Sequence, residues 1–269
     1  MTKAYAEVIG DPIAHSKSPL IHGFWLEKLG IDADYRLAPV KAEDLRVYFA
    51  ERRADPLWRG CNVTIPHKSA VFEIADRCEG AAQKAGAANC VTPDHGELVA
   101  TNTDVFGFLE PFADVDFDNS DVIVIGAGGA SRAVLIALAL HGYGAVHLHN
   151  RDVEKAAALL EALGIRGEAL PLDAPWASAD LLVNASALGM EGYPPLPMDI
   201  EALPAGATVC DVVYTPLETP LLAAARAANL RAVDGLHMLI GQAGIAFEAF
   251  FGEAAPRQHD AELRELLTQ

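Results

Sequence analysis

The sequence predicts an α/β protein of two domains, each built on a mostly parallel sheet that is covered by helices. Apolar patterns typical of strands and of helices alternate along most of the chain. In mid-chain, a buried-strand pattern at residues 122–125 breaks into a glycine-rich turn and then into an apolar helix. The acidic segment Asp114–Asp121 precedes that strand, and we expect the boundary between the domains to lie near it.

The first elements come from the N-terminal part of the chain. Ser18 is expected to cap the first helix, with Pro19 at the first helical position, where a missing N–H costs nothing. The predicted strands are Tyr5–Ile9, Tyr35–Leu37, Gly60–Thr64 and two short strands near Cys90 and Leu98. The predicted helices are Pro19–Leu29, Asp44–Arg53 and Val105–Phe112.

After the glycine-rich turn the alternation continues and completes a second, doubly wound sheet. The predicted elements are the strands Val146–His149, Asp180–Asn184, Thr208–Val213 and Arg231–Val233, and the helices Ser131–His141, Ala156–Leu163 and Pro220–Ala228. Since that set is complete, the long apolar helix Met238–Phe251 is expected to return to the first domain, and Asp260–Leu267 to cover a surface. The predicted domains are residues 1–105 with 237–269, and residues 106–236.

Composition excludes several classes of function. A formal net charge of −17 argues against nucleic acid and anionic membranes as partners, because both are negatively charged and bind positively charged protein surfaces. The sequence contains neither an apolar run of membrane length nor a signal-peptide core, so we expect a cytoplasmic protein. Its four cysteines, Cys61, Cys78, Cys90 and Cys210, lack metal-site spacing. We expect reduced, mostly buried thiols, and no metal.

The glycine-rich turn predicts a site for a phosphate-bearing ligand. It comprises Gly126, Ala127, Gly128, Gly129 and Ala130. Glycines let the backbone approach an anion, while the N–H groups and dipole of the following helix supply the counter-charge. The spacing departs from the strict Gly-x-Gly-x-x-Gly pattern, and such turns also occur for packing alone. Its position in a doubly wound sheet favours the pyrophosphate of a dinucleotide.

The end of the next predicted strand bears on which dinucleotide binds. Asn150 and Arg151 follow it, where a Rossmann-like fold reads the adenosine ribose, and a guanidinium there pairs with a 2′-phosphate. Arg151 therefore favours NADP over NAD, with Lys155 as a further cation. Asp152 is repulsive to a 2′-phosphate unless it caps its own helix, so both NAD and a plain capping role stay open.

Small polar residues follow several strands of the first domain. They are Ser16, Ser18, Asn62, Thr64, Lys68, Asn89 and Asp104. Ligand sites of open α/β sheets lie at the carboxyl ends of the strands. Taken singly, Lys68 and Asp104 also fit solvated surface charges, and Asp104 also fits a helix cap. Taken together with a nicotinamide cofactor, they form the acid–base pair that a metal-free alcohol dehydrogenase needs.

At this point the chain resembles the shikimate dehydrogenase family from end to end. The matching segments are residues 9–19, 62–68, 86–89, 102–104, 126–132, 150–151, 211–216 and 234–242. The resemblance implies an N-terminal α/β substrate domain completed by the C-terminal helices and a Rossmann-like NADP-binding domain. It also implies that NADPH reduces 3-dehydroshikimate to shikimate, the fourth step toward chorismate and the aromatic amino acids.

The resemblance further implies roles for single residues. Ser16 and Ser18 would hold the substrate carboxylate, helped by Tyr214, and Lys68 would exchange a proton at the C3 oxygen. Asp104 would orient the substrate and tune Lys68. The ring hydroxyls would contact Asn62, Thr64, Asn89, Asp104 and Gln242. The cofactor would contact Gly126 to Ala130, Asn150 to Lys155, Val212 and Gly235.

Four positions depart from the family pattern. Asp152 and Lys155 stand where NADP-specific members commonly have Thr and Arg, and Cys90 replaces a common Thr. His237 stands where a small residue is common and is expected to have no catalytic role. The alternatives are a quinate/shikimate dehydrogenase that prefers NAD and a catalytically silent nucleotide-binding sensor. Both monomers and homodimers occur in the family.

Overall fold

Two six-stranded sheets organise the computed structural model, which describes residues 3–115 and 117–269. The first unit runs to Thr103 and includes residues 240–269, and the second comprises residues 104–239. The predicted acidic linker Asp114–Asp121 lies inside the second unit, apart from Asp116, which lies outside the described residues. It is not the boundary, because Phe117 is buried against Phe112, with ring centroids 5.5 Å apart.

The strands and helices follow the predicted alternation. The strands are β1 Ala4–Gly10, β2 Ala33–Pro39, β3 Trp58–Val63, β4 Arg77–Cys78, β5 Cys90–Asp94, β6 Glu97–Thr101, β7 Val122–Ile125, β8 Val146–Asn150, β9 Gly167–Pro171, β10 Leu181–Asn184, β11 Thr208–Asp211 and β12 Arg231–Val233. The α-helices are α1 Ser18–Leu29, α2 Leu45–Arg53, α3 Lys68–Ile74, α4 Ala81–Ala85, α5 Asp104–Leu109, α6 Gly129–His141, α7 Val153–Leu163, α8 Pro220–Ala227, α9 Gly235–Phe251 and α10 Asp260–Leu267. Short 3₁₀ turns occur at Ala42–Asp44, Glu110–Phe112, Ile200–Ala202 and Arg257–His259.

The first sheet has the strand order β2-β1-β3-β5-β6-β4. β1 pairs in parallel with β2 and with β3, whereas β5 runs antiparallel to both of its neighbours. The carboxyl ends of β1 and β3 therefore lie side by side. The Thr64 N–H donates to the Ile9 carbonyl over 3.0 Å, which brings the loop after β3 next to the loop after β1. Ligands of open α/β sheets bind at such an edge.

The second sheet is entirely parallel, with the order β12-β11-β10-β7-β8-β9. Numbered within the unit this is 6-5-4-1-2-3, the order of dinucleotide-binding folds. All four residues of β7 are fully buried, as expected for a central strand covered on both faces. The order reverses between β7 and β10, so the glycine-rich turn after β7 lies at the topological switch point. The predicted Rossmann-like fold is confirmed.

The C-terminal helices complete the first unit, as the sequence predicts. Phe247 and Phe250 of α9 pack around His22 of α1, with ring centroids 5.9 and 6.0 Å away. His22 is stacked on Tyr35 at 4.0 Å with an interplanar angle of 2°. Neither imidazole nitrogen has a hydrogen-bond partner, and burial lowers the pKa of His22 to about 3. This histidine behaves as an aromatic core residue.

Several boundaries differ from the prediction for identifiable reasons. Helix α1 begins at Ser18, which donates its N–H to Ser16 Oγ over 3.3 Å, so Ser18 as the helix cap is wrong. Helix α7 begins at Val153 because Asp152 caps it. Helix α9 begins at Gly235, three residues before the predicted start. The prediction omitted the short β4, α3 and α4 and the largely exposed β9.

The buried histidine makes a prediction about acid stability. Because the pKa of His22 is about 3 when folded and near 6.5 when unfolded, lowering the pH favours the unfolded chain. Between pH 7 and 5 the wild type should lose about 2 kcal/mol more unfolding free energy than His22→Phe, which keeps a stacked ring. Urea unfolding at each pH measures this difference.

The matched control is His95→Asn, since the His95 side chain is 98% exposed and its positive φ suits asparagine. Its pH profile should follow that of the wild type. Parallel profiles for the wild type and His22→Phe would contradict the prediction.

Candidate functional site

In the first unit, Tyr35 lies between the start of α1 and the end of β3. Its hydroxyl donates to Asn62 Oδ1 over 2.6 Å and lies beside the side chain of Ser18. Ser18 and Asn62 are buried, and burial raises the pKa of Tyr35 well above its ordinary value. Two predicted site residues from separate elements therefore lie at one phenol, with Ser16 next to Ser18.

Asn89 links Asn62 with Thr103 and Gln242 through hydrogen bonds. Asn62 Nδ2 donates to the Asn89 carbonyl over 3.3 Å, and Asn89 Oδ1 accepts the N–H of Thr103 over 2.7 Å. Asn89 Nδ2 donates to Thr103 Oγ1 over 2.9 Å and to Gln242 Oε1 over 3.4 Å. The network gathers Asn62, Asn89 and Gln242, which lie far apart in the sequence.

Lys68 begins helix α3, and two contacts fix the backbone at Lys68 and the residue before it. Its carbonyl accepts the N–H of Ala88 over 2.9 Å, next to Asn89. The preceding His67 is buried, and its Nε2 lies 2.6 Å from the Val40 carbonyl. Thr64 and Lys68 are half-buried. The loop that carries Lys68 is thus fixed at the carboxyl edge of the first sheet.

Asp104 follows Thr103 directly in the chain and begins α5 of the second unit. As a residue, Asp104 is only 7% exposed. Because Asn89 holds the Thr103 N–H, the backbone that leads into Asp104 is fixed. A buried carboxyl group is costly unless it is hydrogen-bonded, so its position after this anchored residue suits a functional carboxylate.

The glycine-rich turn has the geometry of an anion cradle. Gly126 has a φ of +103°, which other residues rarely adopt, and its N–H donates to the His149 carbonyl over 2.8 Å. Gly128 and Gly129 are exposed where α6 begins, and Gly128 donates its N–H to Ser131 Oγ over 3.2 Å. A Cβ on Gly128 would point into open space. The turn therefore fits a pyrophosphate at the N-terminus of α6.

Beyond β8, the chain forms an ordered turn that presents two cations. Asn150 Nδ2 donates to the Asp152 carbonyl over 2.8 Å, and Asp152 Oδ1 accepts the N–H of Lys155 over 2.9 Å. The capping interpretation of Asp152 is confirmed. Arg151 and Lys155 are exposed, and neither forms an ion pair with another described residue. Both side chains are free to meet a phosphate.

A buried carboxylate holds the loop after β11. Asp211 is fully buried and accepts hydrogen bonds from Asn184 Nδ2, the Val213 N–H and Thr219 Oγ1 at 2.9, 3.0 and 2.7 Å. Burial raises the pKa of Asp211 to about 6, while these donors act in the opposite direction. The bonds fix the segment that carries Val212 and the half-buried Tyr214.

Gly235 lies against the same loop. A Cβ built on it would sit 2.3 Å from the Val212 carbonyl oxygen, so only glycine fits without moving the backbone. The structure thus places Val212 and Gly235 in contact.

Sequence reasoning missed four residues that fix neighbouring predicted site residues, Tyr35 and Thr103 in the first unit and Asn184 and Asp211 in the second. Thr103 stood in a recognisable cluster of small polar residues, and Asp211 and Asn184 end buried strands. Tyr35 gave no signal, since a tyrosine in a strand is typical of a core. Among the described residues, none of the helices is long and apolar enough to cross a membrane, and no group of three His, Cys, Asp or Glu side chains is placed to hold a metal ion.

Comparisons with known proteins agree with this geometry. The family model of the shikimate dehydrogenase substrate binding domain matches residues 8–91, and that of shikimate/quinate 5-dehydrogenase matches residues 111–187. Shikimate dehydrogenase (NADP(+)) of Sphingopyxis alaskensis is 55% identical over 265 residues, covering 98% of this chain and 96% of that protein. The chain belongs to the shikimate dehydrogenase family.

Solved structures of similar proteins share the fold of this chain. Shikimate 5-dehydrogenase from Thermus thermophilus, in complex with NADP(H) and shikimate, matches with a TM-score of 0.86 and 36% identity over 97% of this chain and 98% of that one. The ligand-free 5-ketofructose reductase of a Gluconobacter strain matches with a TM-score of 0.91 and 29% identity over 99% of both chains. Enzymes with different substrates therefore share this shikimate dehydrogenase fold.

The open space at Gly128 makes a prediction about cofactor binding. In Gly128→Ala the added methyl group would occupy the cradle, where a pyrophosphate must approach the backbone. We expect the Kd for NADP to rise about tenfold or more, which is about 1.4 kcal/mol, with little change in the unfolding free energy. Calorimetric titration and urea unfolding measure the two quantities.

Gly23→Ala is the control, because a Cβ there also meets open space but lies in α1 of the first unit. It should leave NADP affinity unchanged. Wild-type NADP affinity in Gly128→Ala would show that the turn serves packing alone.

Proposed function

We propose that this chain catalyses the reversible, NADPH-dependent reduction of 3-dehydroshikimate to shikimate, on the route to chorismate and the aromatic amino acids. The observation that carries the proposal is the 55% identity to an NADP(+) shikimate dehydrogenase over nearly the full length of both chains. The parallel sheet with dinucleotide-binding order and the exposed glycine turn supply a fitting cofactor site.

We propose that residues 1–105 with 237–269 bind the substrate, and that residues 106–236 bind NADP. Ser16, Ser18 and Tyr214 hold the substrate carboxylate. The ring hydroxyls contact Asn62, Thr64, Asn89, Asp104 and Gln242. The hydrogen-bonded network from Tyr35 through Asn62 and Asn89 to Gln242 supports this assignment, since it gathers polar groups at one edge of the sheet.

Bound NADPH supplies the hydride that adds to the C3 carbonyl carbon of the substrate. As hydride adds to the carbon, the electrons of the carbonyl bond move onto the C3 oxygen, and Lys68 donates a proton to that oxygen. In the reverse reaction Lys68 takes the proton back. Asp104 orients the substrate and Lys68. A metal is not required, because a proton donor at the oxygen performs the task of a Lewis acid.

Selectivity follows from the polar character of the site. An analogue that lacks a hydroxyl leaves a buried polar side chain without its partner, which costs far more than a missing methylene group. Three alternatives remain distinct: quinate oxidation with NAD, a catalytically silent nucleotide sensor, and reduction of 5-ketofructose, the substrate named for a structural neighbour. Rates with shikimate, quinate and 5-ketofructose, each with NADP(H) and NAD(H), separate them.

We also propose a cytoplasmic location, which the four free cysteines support. The proposal holds for a monomer and for a homodimer alike, because every residue assigned to the site comes from one chain.

The first test concerns the proton donor. Lys68→Ala should lower kcat for shikimate oxidation about a thousandfold with little change in KM, because only the transition state needs the proton transfer. Lys68→Arg keeps the charge but cannot exchange the proton, so it should not restore the rate. Steady-state kinetics with NADP measures both.

Lys84→Ala removes an exposed lysine of α4 in the same unit and should behave as the wild type. Absence of turnover by the wild type would favour the sensor. Comparable rates with quinate and NAD would favour the quinate/shikimate dehydrogenase.

The second test concerns Asp152 and cofactor choice. Asp152→Asn keeps an N-cap but removes a negative charge next to Arg151. It should raise kcat/KM for NADP about fivefold and leave kcat/KM for NAD nearly unchanged. The gain with NADP should be smaller at high salt, since screening weakens the interaction between exposed charges.

Glu154→Gln is the charge-matched control, since it neutralises an exposed acid in the first turn of the same helix. Equal gains in the two variants, or parallel gains with NADP and NAD, would show that Asp152 has no specific influence on the 2′-phosphate.

A further inference from the structure

Tyr35 lies between two side chains that the proposed function assigns to substrate binding. It sits in β2, the outermost strand of its sheet, and its side chain is directed inward and is only 9% exposed as a residue. Its hydroxyl donates to Asn62 Oδ1 over 2.6 Å and lies beside the side chain of Ser18. Ser18 begins α1 and Asn62 lies in β3, so the phenol joins two elements that are adjacent only in space.

The bond from Tyr35 fixes which way the Asn62 amide faces. If the amide were rotated by half a turn, Oδ1 would face the Asn89 carbonyl oxygen, which Nδ2 now contacts at 3.3 Å. Two acceptors would then oppose each other. The observed orientation satisfies both neighbours, and it leaves Asn62 Nδ2 as the donor that Asn62 can offer to a substrate hydroxyl.

The tyrosine ring is itself held in place. His22, one turn after Ser18 in α1, stacks on it at 4.0 Å with an interplanar angle of 2°. Phe250 packs beside it with centroids 6.4 Å apart. One face of α1 therefore meets Tyr35 both through the Ser18 side chain and through the His22 ring. Such packing leaves the hydroxyl little freedom to move.

We propose that Tyr35 is a positioning residue of the substrate site, which sets the side chains of Ser18 and Asn62 without touching the substrate itself. This inference rests on the proposed function, because it assumes that these two side chains contact the substrate. Loss of the hydroxyl would leave the amide of Asn62 free to rotate and Ser18 free to turn, so the cost appears in substrate binding.

The decisive variant is Tyr35→Phe in the full chain, which removes one oxygen atom and keeps the stacked ring. We expect KM for shikimate to rise about tenfold, with kcat and KM for NADP changed less than about threefold. The calorimetric Kd for shikimate in the presence of NADP should rise by the same factor. A purely structural role would lower stability without this division between the kinetic constants.

Tyr48→Phe is the matched control. Tyr48 is 7% exposed, lies in the same unit, and donates its hydroxyl to Glu7 over 2.8 Å, outside the site. It should reduce stability and leave KM for shikimate unchanged. In a double-mutant cycle, Tyr35→Phe should add little to the defect of Asn62→Ala, because its effect acts through the amide.

A second variant tests the amide orientation on its own. Asn62→Asp still accepts from Tyr35 but has no N–H to donate, so it should raise the Kd for shikimate about tenfold or more. This result stands even if Tyr35→Phe does not fold.

The outcomes separate the two proposals. Unchanged shikimate binding in Tyr35→Phe or Asn62→Asp, in a wild type that binds and oxidises shikimate, overturns the inference and leaves the function standing. Shikimate binding without turnover overturns the function but still permits the test through Kd. A wild type that does not bind shikimate overturns both.

Discussion

Both units depend on one constraint, the parallel pairing of the first strand of each sheet with a neighbouring strand at its carboxyl end. In the first unit the Thr64 N–H donates to the carbonyl of Ile9, and in the second the Ala185 N–H donates to the carbonyl of Ile125. A glycine follows the strand residue that accepts each bond, Gly10 after Ile9 and Gly126 after Ile125. A Cβ on Gly10 would lie 2.7 Å from Thr64 Cγ2, and a Cβ on Gly126 would lie 3.0 Å from Ser186 Cβ, both too close for an ordinary contact. The same device twice directs a loop away from the sheet at the place where a ligand can bind.

Around these edges the fold buries several polar side chains. Asn62, Asn89, Asn184 and Asp211 are nearly inaccessible, and each accepts or donates bonds that fix its orientation. Unpaired, each would cost more than a hydrogen bond is worth. These bonds order the loops within each unit before a ligand arrives, so that binding need not supply the energy of ordering them.

The local sequence pattern was sufficient to predict elements whose apolar residues or glycines determine their conformation. The all-apolar β7 and the glycines after it identified the second unit, and Arg231–Val233 and Asp260–Leu267 were predicted to the residue. The largely exposed β9 lacks an apolar run, and the short α3 and α4 lie close to Pro66 and Gly86 and offer no long periodicity. Ser18 was assigned the wrong task because its neighbour Ser16 accepts the N–H bond instead. The partnership of Tyr35 with Asn62 spans 27 residues, a separation at which local patterns carry no information.

The division of the first unit into two segments sets an order of assembly during synthesis. The second unit is continuous from residue 104 to 239, so all of its strands have been made before the last part of the first unit leaves the ribosome. Phe247 and Phe250 then arrive to cover His22. Until those residues are made, the apolar surface around α1 that the two rings cover stays open in the nascent chain.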